Sequence, residues 1–262
     1  MSAAPIVIKI GGRTLSSPGV VEHLVSDISS RSDRRIVLVH GGGAAVTSLA
    51  GRLGISSEFA DGVRMTGKEE MEVVDMVLAG LLNKRIARRF QAAGVPAVGL
   101  CASDGGLLTG APVTRPDGSP SRTGRVVARA PAVLEHLLEA GYLTVLASTF
   151  MDEAGTGLNL NADDAAFEIA TMLRARALLF LSDVPGILRG AGATEAPIPV
   201  LTPPEVEQEI AAGVIGGGMI PKVRSSVGAL HAGVGIVIIG AYTEASSLDE
   251  LMSGRSGTRI EA

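Results

Sequence analysis

The sequence predicts an α/β protein, a three-layer αβα sandwich built on a mainly parallel central sheet. Short apolar runs alternate along the chain with segments whose apolar residues recur at helical spacing. Fully apolar strands joined by helices are typical of parallel sheets that are covered on both faces. The chain has 262 residues, of which 46% are hydrophobic, enough to fill one substantial core or two joined lobes.

Six apolar runs are predicted as buried strands, at residues 6–10, 35–39, 96–100, 143–147, 177–181 and 236–239. Helical spacing predicts helices at residues 20–28, 44–53, 69–93, 131–140, 161–173, 204–212 and 221–232. The turn sequence PDG at 116–118 lies between β-like flanks and predicts a hairpin over residues 107–127. Residues 257–260 are predicted as a final edge strand.

The composition excludes several classes of protein. A net charge of −4 leaves no electrostatic footprint for nucleic acid or an acidic membrane. The residues before Ile6 lack the regions of a signal peptide, and no run of about 18 apolar residues occurs. Cys101 is the single cysteine, so no intrachain disulfide can form, and its apolar neighbours indicate a buried thiol. We therefore expect a soluble cytoplasmic protein.

Two nucleotide-binding motifs are matched only superficially. Residues 62–68 (GVRMTGK) fit the P-loop pattern, but Glu69 follows where magnesium requires Ser or Thr, and no strand precedes them. Residues 41–46 (GGGAAV) approach the dinucleotide fingerprint but end in Val46, where Gly or Ala is needed. The sequence therefore favours neither a P-loop protein nor a Rossmann dehydrogenase.

Two glycine clusters at neighbouring strand ends predict a phosphate site. Lys9 lies in the first strand, and Gly11 and Gly12 follow it; three glycines at 41–43 follow the second strand and open a helix. Bare glycine backbone lets N–H groups approach an anion, and a helix N-terminus adds a favourable dipole. Either cluster alone is a common turn. The two together, with a lysine, indicate phosphate binding.

Lysine is rare in this chain, which has four lysines among its 23 basic residues. Lys222 follows three glycines at 216–218 and begins a predicted helix, where a cation opposes the helix dipole. A bound anion would remove that conflict, and a solvated surface lysine is the alternative interpretation.

Residues 159–164 (NLNADD) hold a second polar group. A helix cap explains Asn161, and the first helical turn explains Asp164, but neither explains Asn159. Asp163 is predicted to fix the geometry of nearby lysines. Residues 182–186 end a core strand and either contact a nucleotide or form a turn.

In this order the motifs resemble the amino-acid kinase family over residues 6–260. They are IKIGG at 8–12, VHGGG at 39–43, GVRMT at 62–66, VVDMVLAGLLNK at 73–84, VGLCASDGG at 98–106, NLNADDAA at 159–166, LFLSDVPGIL at 179–188, GGGMIPK at 216–222 and GTRI at 257–260. GVRMT and NLNADDAA are most similar to the branch that phosphorylates the side-chain carboxylate of N-acetyl-L-glutamate, with ATP, in arginine biosynthesis.

The resemblance implies a role for each site residue. Lys9 and Lys222 would stabilise charge on the transferring phosphoryl group and on the leaving ADP, with Asp163 holding both. Gly12 and Gly42 would donate N–H groups to the phosphoryl oxygens. Arg64 would pair with the α-carboxylate of the acceptor. The implied acceptor-binding residues are Gly42, Gly43, Arg64, Asn159 and Asn161. The implied nucleotide-binding residues are Lys9, Gly11, Gly12, Ser182, Asp183, Gly218, Met219 and Lys222.

The resemblance also implies the organisation of the molecule. One domain over residues 1–262 would have an acyl-acceptor lobe at about 1–175 and a nucleotide lobe at about 176–262. Mg2+ would be held by ATP phosphates and water, without a carboxylate cage. A carboxylate acceptor needs no general base at neutral pH, so His40 is interpreted as structural. Only five residues precede Ile6, where arginine-inhibited members have a helix, so we expect a homodimer without arginine feedback.

Two rival functions stay open. A kinase for carrier-protein-bound aminoadipate or glutamate would use the same lysines with a different acceptor pocket. A non-catalytic amino-acid sensor could share the fold, although the presence of Lys9, Lys222 and Asp163 together argues against it.

Overall fold

The computed structural model describes residues 4–60, 62–188, 196–217, 219–243 and 245–262. The strands are β1 (Ile6–Ile10), β2 (Ile36–His40), β3 (Phe59–Ala60), β4 (Val63–Arg64), β5 (Ala97–Cys101), β6 (Leu108–Thr114), β7 (Pro120–Arg129), β8 (Leu143–Ala147), β9 (Thr149–Asp152), β10 (Gly157–Asn159), β11 (Ala177–Ser182), β12 (Val200–Leu201), β13 (Val237–Ala241) and β14 (Thr258–Ile260). The α-helices are α1 (Gly12–Ser16), α2 (Val20–Ser30), α3 (Gly43–Arg52), α4 (Lys68–Asp75), α5 (Asn83–Ala92), α6 (Ala132–Glu139), α7 (Ala162–Met172), α8 (Pro203–Ala211), α9 (Met219–His231) and α10 (Leu248–Met252). None of the helices in these described ranges is long and apolar enough to cross a membrane.

Eight strands form the central sheet in the order β12-β14-β13-β11-β1-β2-β8-β5. Neighbouring strands are parallel except at β13 and β14, which are antiparallel, so the predicted mainly parallel sheet is confirmed. The prediction of an edge strand at 257–260 is wrong in position. β14 pairs with β12 on its outer side, because Arg259 N–H donates to the Pro199 carbonyl and Glu261 N–H to the Leu201 carbonyl.

Alternating side chains of the strands bury themselves on opposite faces of the sheet. Val7 packs in one core with apolar residues of α6, α7, α8 and α9. Ile6, Ile8 and Ile10 pack in a second core with residues of α2, α5 and α10. Burying one such aliphatic side chain stabilises the folded state by about 1.5–3 kcal/mol, and side chains are buried in this way on both faces of the sheet. These two cores give the three layers that the sequence predicts.

The long helix predicted at 69–93 is helical throughout but not uniform. It consists of α4, a π-helical segment at Met76–Leu82, and α5. The wider π turn places Leu78 and Leu82 against the glycine turn after β2. Short π segments inside α-helices often mark functional positions, and this one supports the candidate site described below.

A small closed sheet of β10, β7, β6 and β9 lies beside the central sheet. Its β6–β7 hairpin is the one predicted from the PDG turn. Gly110 and Gly124 leave room for Phe150, since a Cβ atom at either position would lie within 2.7 Å of the Phe150 ring. The strands β9 and β10 are not predicted by the sequence, because each is shorter than five residues.

Candidate active site

Three charged side chains meet at the carboxyl end of β1. The Lys9 Nζ atom lies 2.8 Å from Asp163 Oδ1, and the Lys222 Nζ atom lies 3.1 Å from Asp163 Oδ2. All three are largely enclosed, with side-chain exposures of 13% for Lys9, 19% for Lys222 and 27% for Asp163. The sequence predicts that Asp163 fixes the geometry of nearby lysines, and in the structure its two carboxylate oxygens each pair with one lysine.

The cluster carries an excess positive charge. Burial opposes ionisation of Asp163, but the charges of Lys9 and Lys222 outweigh it and hold the pKa of this carboxyl below its usual value. One ionised carboxylate therefore faces two ammonium groups, which leaves about one unit of positive charge at the strand end. A phosphoryl group bearing negative charge complements that excess.

Local structure explains why the three groups converge. β1 lies between β2 and β11, with Lys9 opposite Val39 and Phe180, so Lys9 is at the centre of the sheet. Asn161 caps α7, its Oδ1 accepting a hydrogen bond of 2.8 Å from Asp163 N–H, which confirms the predicted cap.

Lys222 lies in the first turns of α9, where the helix dipole disfavours a cation. Its ammonium group is 5.1 Å from the centroid of the Phe180 ring and pairs with Asp163. The alternative of a solvated surface lysine is therefore wrong. The carboxylate of Asp163 is an anion from the protein itself, and it compensates the unfavourable interaction between Lys222 and the helix dipole.

The glycine turns after β1 and β2 touch each other. A Cβ atom built on Gly12 would lie 3.4 Å from Gly42 Cα and 3.6 Å from Gly43 N. One built on Gly42 would lie 2.3 Å from Leu82 Cδ1 and 2.7 Å from Leu78 Cδ2, a clash at both contacts. Gly42 therefore has no room for a side chain unless Leu78 and Leu82 move, whereas the contacts at Gly12 are ordinary van der Waals distances.

Replacing Gly42 with alanine is therefore expected to lower turnover about 10²-fold, because either the turn or the packed side chains of Leu78 and Leu82 must shift. Gly51→Ala is the matched control in α3, the helix that Gly42 precedes, since a Cβ atom at Gly51 meets nothing within 4 Å. That variant should keep full activity and gain about 0.5–1 kcal/mol of stability from helix propensity. Steady-state kinetics and thermal melting of both variants check the expectation. Equal activities would contradict it.

A cavity of about 230 Å³ opens beside the glycine turns. Residues predicted to bind the acceptor contribute to its lining: Gly42, Gly43, Arg64, Asn159 and Asn161. Gly12, Gly41 and the apolar side chains of Val46, Val74 and Leu78 line it as well. A pocket of mixed character and this size suits a small molecule with polar ends.

Arg64 is held in place by a buried network. Its Nη1 donates to Glu70 Oε1 at 2.5 Å and to Ser57 Oγ at 2.6 Å. Its Nη2 donates to Thr47 Oγ1 at 2.7 Å and to the Gly43 carbonyl at 3.1 Å. Glu70 is 3% exposed at its side chain, so this ion pair is shielded from water.

Glu70 is a site residue that sequence reasoning missed. Its position in the first turn of α4 is the one signal available, and that signal indicates a helix cap. Glu70 Oε2 does accept a 3.4 Å hydrogen bond from Gly67 N–H, so capping and the pairing with Arg64 share one carboxylate.

Asn159 ends β10 and is anchored by its amide. Its Nδ2 donates to Thr66 Oγ1 at 2.9 Å, while Thr66 N–H donates to Thr123 Oγ1 at 3.0 Å. This chain of hydrogen bonds joins β10 to the segment carrying Arg64. Asn161, not Asn159, caps α7, so capping does not account for an asparagine at position 159. Asn159 instead forms part of the cavity wall.

Of the predicted nucleotide residues, Ser182 and Asp183 lie on the β11 side of β1. Ser182 ends β11 and Asp183 follows it; both line a second cavity of about 430 Å³ with Thr14 and Thr243. Ser182 Oγ also accepts a 3.2 Å hydrogen bond from Val184 N–H. This segment therefore also forms a turn, the other interpretation given for residues 182–186. Met219 begins α9, and Gly218 lies outside the described residues. Among the described side chains, no group of three or more candidate metal ligands occurs.

The pKa of Asp164, which lies next to the cluster, is shifted in the opposite direction from that of Asp163. Burial, reinforced by Asp163 and Glu168, raises the pKa of Asp164 to about 6. A carboxyl whose pKa is raised on folding destabilises the folded state once it ionises, so stability falls between about pH 4 and 6. Asp164→Asn should therefore melt higher than wild type at pH 8, by about 2–4 °C for each kcal/mol recovered. Melting curves below pH 4 should coincide, and a lower Tm for the variant at pH 8 would contradict this.

Comparison with known proteins agrees with this geometry. The model of the amino acid kinase family matches residues 4–240. Acetylglutamate kinase of Rubrobacter xylanophilus is 38% identical over 255 residues, covering 97% of this chain and 96% of that protein. Chloroplastic acetylglutamate kinase of Arabidopsis thaliana is 39% identical over 259 residues, covering 97% of this chain and 74% of that protein.

A solved structure shows the same fold in a longer protein. N-acetylglutamate synthase of Neisseria gonorrhoeae, complexed with coenzyme A and L-arginine, is 26% identical with a TM-score of 0.80. The match covers 98% of this chain but 61% of the synthase, so this chain spans about three fifths of that protein. With a family match over most of its length and relatives nearly 40% identical, the chain belongs to the amino acid kinase family.

Proposed function

We propose that this protein transfers the γ-phosphoryl group of ATP to the side-chain carboxylate of N-acetyl-L-glutamate, a step in arginine biosynthesis. The observation that carries the proposal is the cluster of Lys9, Asp163 and Lys222 beside a cavity that contains Arg64. Relatives named acetylglutamate kinase, at 38% and 39% identity over 97% of the chain, support the same acceptor.

The chemistry needs charge neutralisation more than proton transfer. A carboxylate oxygen of the acceptor forms a bond to the γ-phosphorus, and the bond from that phosphorus to the bridging oxygen of ADP breaks. The acceptor is already ionised at neutral pH, so no general base is required. In this proposal Lys9 and Lys222 stabilise the charge on the transferring group and on ADP. Gly12 and Gly42 donate backbone N–H groups to phosphoryl oxygens.

The acceptor is assigned to the cavity in front of the glycine turns. Arg64 pairs with its α-carboxylate, and Asn159 and Asn161 hydrogen-bond its remaining polar groups. Arg64 is kept in place by Glu70, so its guanidinium loses little conformational freedom on binding. Gly43 borders the same site, because a Cβ atom there would lie 3.8 Å from Arg64 Nη2.

The nucleotide is assigned to the opposite side of β1, next to Ser182 and Asp183. The proposal thus divides the domain into an acceptor lobe at about 1–175 and a nucleotide lobe at about 176–262. Magnesium enters with ATP and is held by its phosphates and by water. We also propose a cytoplasmic homodimer, which sedimentation would reveal as twice the mass of one chain. A monomer or a hexamer would contradict it.

An acyl-phosphate assay tests the function directly. Purified protein is incubated with MgATP and hydroxylamine, which traps an acyl phosphate as a hydroxamate. N-acetyl-L-glutamate, glutamate, aminoadipate and a carrier-protein-bound aminoadipate are compared as acceptors. We expect hydroxamate mainly from N-acetyl-L-glutamate. Turnover of the carrier-bound substrate alone would establish the rival kinase, and no turnover of any acceptor would favour a sensor.

A further inference from the structure

His40 and Asn83 form a buried polar pair directly behind the glycine turn after β2. His40 ends β2 and is completely buried, and Asn83 begins α5 and is also completely buried. Neither side chain has a role in the proposed chemistry. Burying a polar side chain costs free energy unless it is hydrogen-bonded, so the contacts of both side chains need to be accounted for.

The orientation of the Asn83 amide is fixed by main-chain carbonyls. Its Nδ2 lies 3.0 Å from the Leu100 carbonyl in β5 and 2.9 Å from the Val145 carbonyl in β8. Carbonyl oxygens only accept, so the NH2 group must face them and cannot be exchanged with Oδ1. Oδ1 itself has no partner among the described residues. It lies over Gly99, where a Cβ atom would come within 2.2 Å of it.

The amide orientation fixes the protonation of His40 in turn. Asn83 Nδ2 lies 3.3 Å from His40 Nε2, but its two hydrogens face the Leu100 and Val145 carbonyls and an amide nitrogen cannot accept, so this contact offers no acceptor for a proton on Nε2. On the other side, His40 Nδ1 lies 3.1 Å from the Gly41 carbonyl, which accepts. The ring proton therefore sits on Nδ1, where the Gly41 carbonyl accepts it, and Nε2 carries no proton. Burial lowers the pKa of His40 to about 4, although the Gly41 hydrogen bond opposes this, so the ring is neutral at pH 7.

The hydrogen bond to Gly41 orients the peptide that Gly42 shares with it. The carbonyl of Gly41 and the N–H of Gly42 belong to one planar trans peptide and point in opposite directions. With its oxygen drawn toward the His40 ring, the peptide directs Gly42 N–H away from the ring. A Cβ atom on Gly12 would lie 3.5 Å from Gly42 N, so this nitrogen lies beside the phosphate turn after β1. No acceptor among the described residues takes the Gly42 N–H.

We propose that His40 and Asn83 are positioning residues that hold the Gly41–Gly42 peptide so that Gly42 N–H is directed at the transferring phosphoryl group. The inference rests on the proposed function and deepens it, because it explains how that donor is set before substrates bind. A preorganised donor stabilises the transition state without having to reorient during the reaction.

Two matched variants separate this role from simple packing. In His40→Asn the amide nitrogen can replace Nδ1 and still donate to the Gly41 carbonyl, whereas in His40→Gln it falls near the position of Nε2. We expect His40→Asn to keep turnover within about tenfold of wild type and His40→Gln to lose about 10²-fold. The KM for N-acetyl-L-glutamate and for ATP should change less than about threefold in both. Equal turnover of the two variants, or losses confined to KM, would overturn the inference.

The tautomer provides a readout that is independent of activity. Imidazole ¹⁵N chemical shifts of the wild-type protein, assigned by the signal missing from His40→Asn, should show a neutral ring protonated at Nδ1 from pH 8 to pH 5.5. A proton on Nε2, or a titration near pH 6.5, would refute the arrangement even if a variant failed to fold. If the wild-type protein were inactive on every acceptor, the proposed function would be refuted instead. The NMR result would still show whether His40 has the tautomer that this arrangement requires.

Discussion

Lys222→Ala is expected to reduce turnover about 10²–10³-fold, and Lys9→Ala by a similar factor. Each lysine supplies one of the two positive charges held by Asp163, and removing one leaves the cluster without excess positive charge. Removing a single preorganised transition-state donor has effects of this size in other enzymes. The loss should appear in kcat, because charge on the transferring phosphoryl group and on ADP increases only in the transition state.

Lys68→Ala is the matched control for both variants. Lys68 is exposed at the start of α4 and lines a different cavity from the one assigned to the acceptor. It should retain the rate of the wild type in the hydroxamate assay. A rate within about threefold of wild type for Lys9→Ala or Lys222→Ala would remove that lysine from the proposed chemistry.

Arg64→Lys is expected to raise the KM for N-acetyl-L-glutamate about 10²-fold or more while leaving the KM for ATP nearly unchanged. Lysine keeps the charge but cannot reproduce the forked contacts to Glu70, Ser57 and Thr47. A 10²-fold rise in KM corresponds to about 3 kcal/mol of lost binding, since each factor of ten is about 1.4 kcal/mol.

Arg115→Lys is a suitable comparison, because Arg115 is also an arginine that donates to a main-chain carbonyl but lies outside the acceptor cavity. Its effect on the KM for the acceptor should stay within about threefold. Melting temperatures of both variants show whether each is folded at the assay temperature. An unchanged acceptor KM in folded Arg64→Lys would place the α-carboxylate elsewhere.

The central sheet was predictable because its strands are continuously apolar. β1, β2, β8 and β11 are buried on both faces, and this burial demands an unbroken apolar run in the sequence. Strands of two to four residues, such as β3, β4 and β10, have no such signature. Their pairing depends on tertiary neighbours, so local pattern does not reveal them.

The site was only partly predictable, for a related reason. Lys222 was conspicuous because a cation at a helix N-terminus conflicts with the dipole, and bare glycines at strand ends indicated an anion. Glu70 and Asn83 were not distinguished, since a helix cap and a helix residue are ordinary at their positions, and His40 was interpreted only as structural. Their roles come from specific side-chain contacts that the local pattern does not show, such as the pairing of Glu70 with Arg64 and the contacts of Asn83 with Leu100 and Val145.

The position of β1 in the sheet has a consequence for how the chain folds during biosynthesis. β1 is synthesised before β2 and can pair with it early, but its other neighbour is β11, with Ile6 opposite Ala177. Contacts so distant in sequence form slowly and late. Until β11 is made, one edge of β1 stays unpaired and open to association with other chains. A chain that stalls between α7 and β11 would therefore contain the residues of the acceptor cavity but lack Lys222, and with one edge of β1 unpaired it would be an aggregation-prone, inactive fragment.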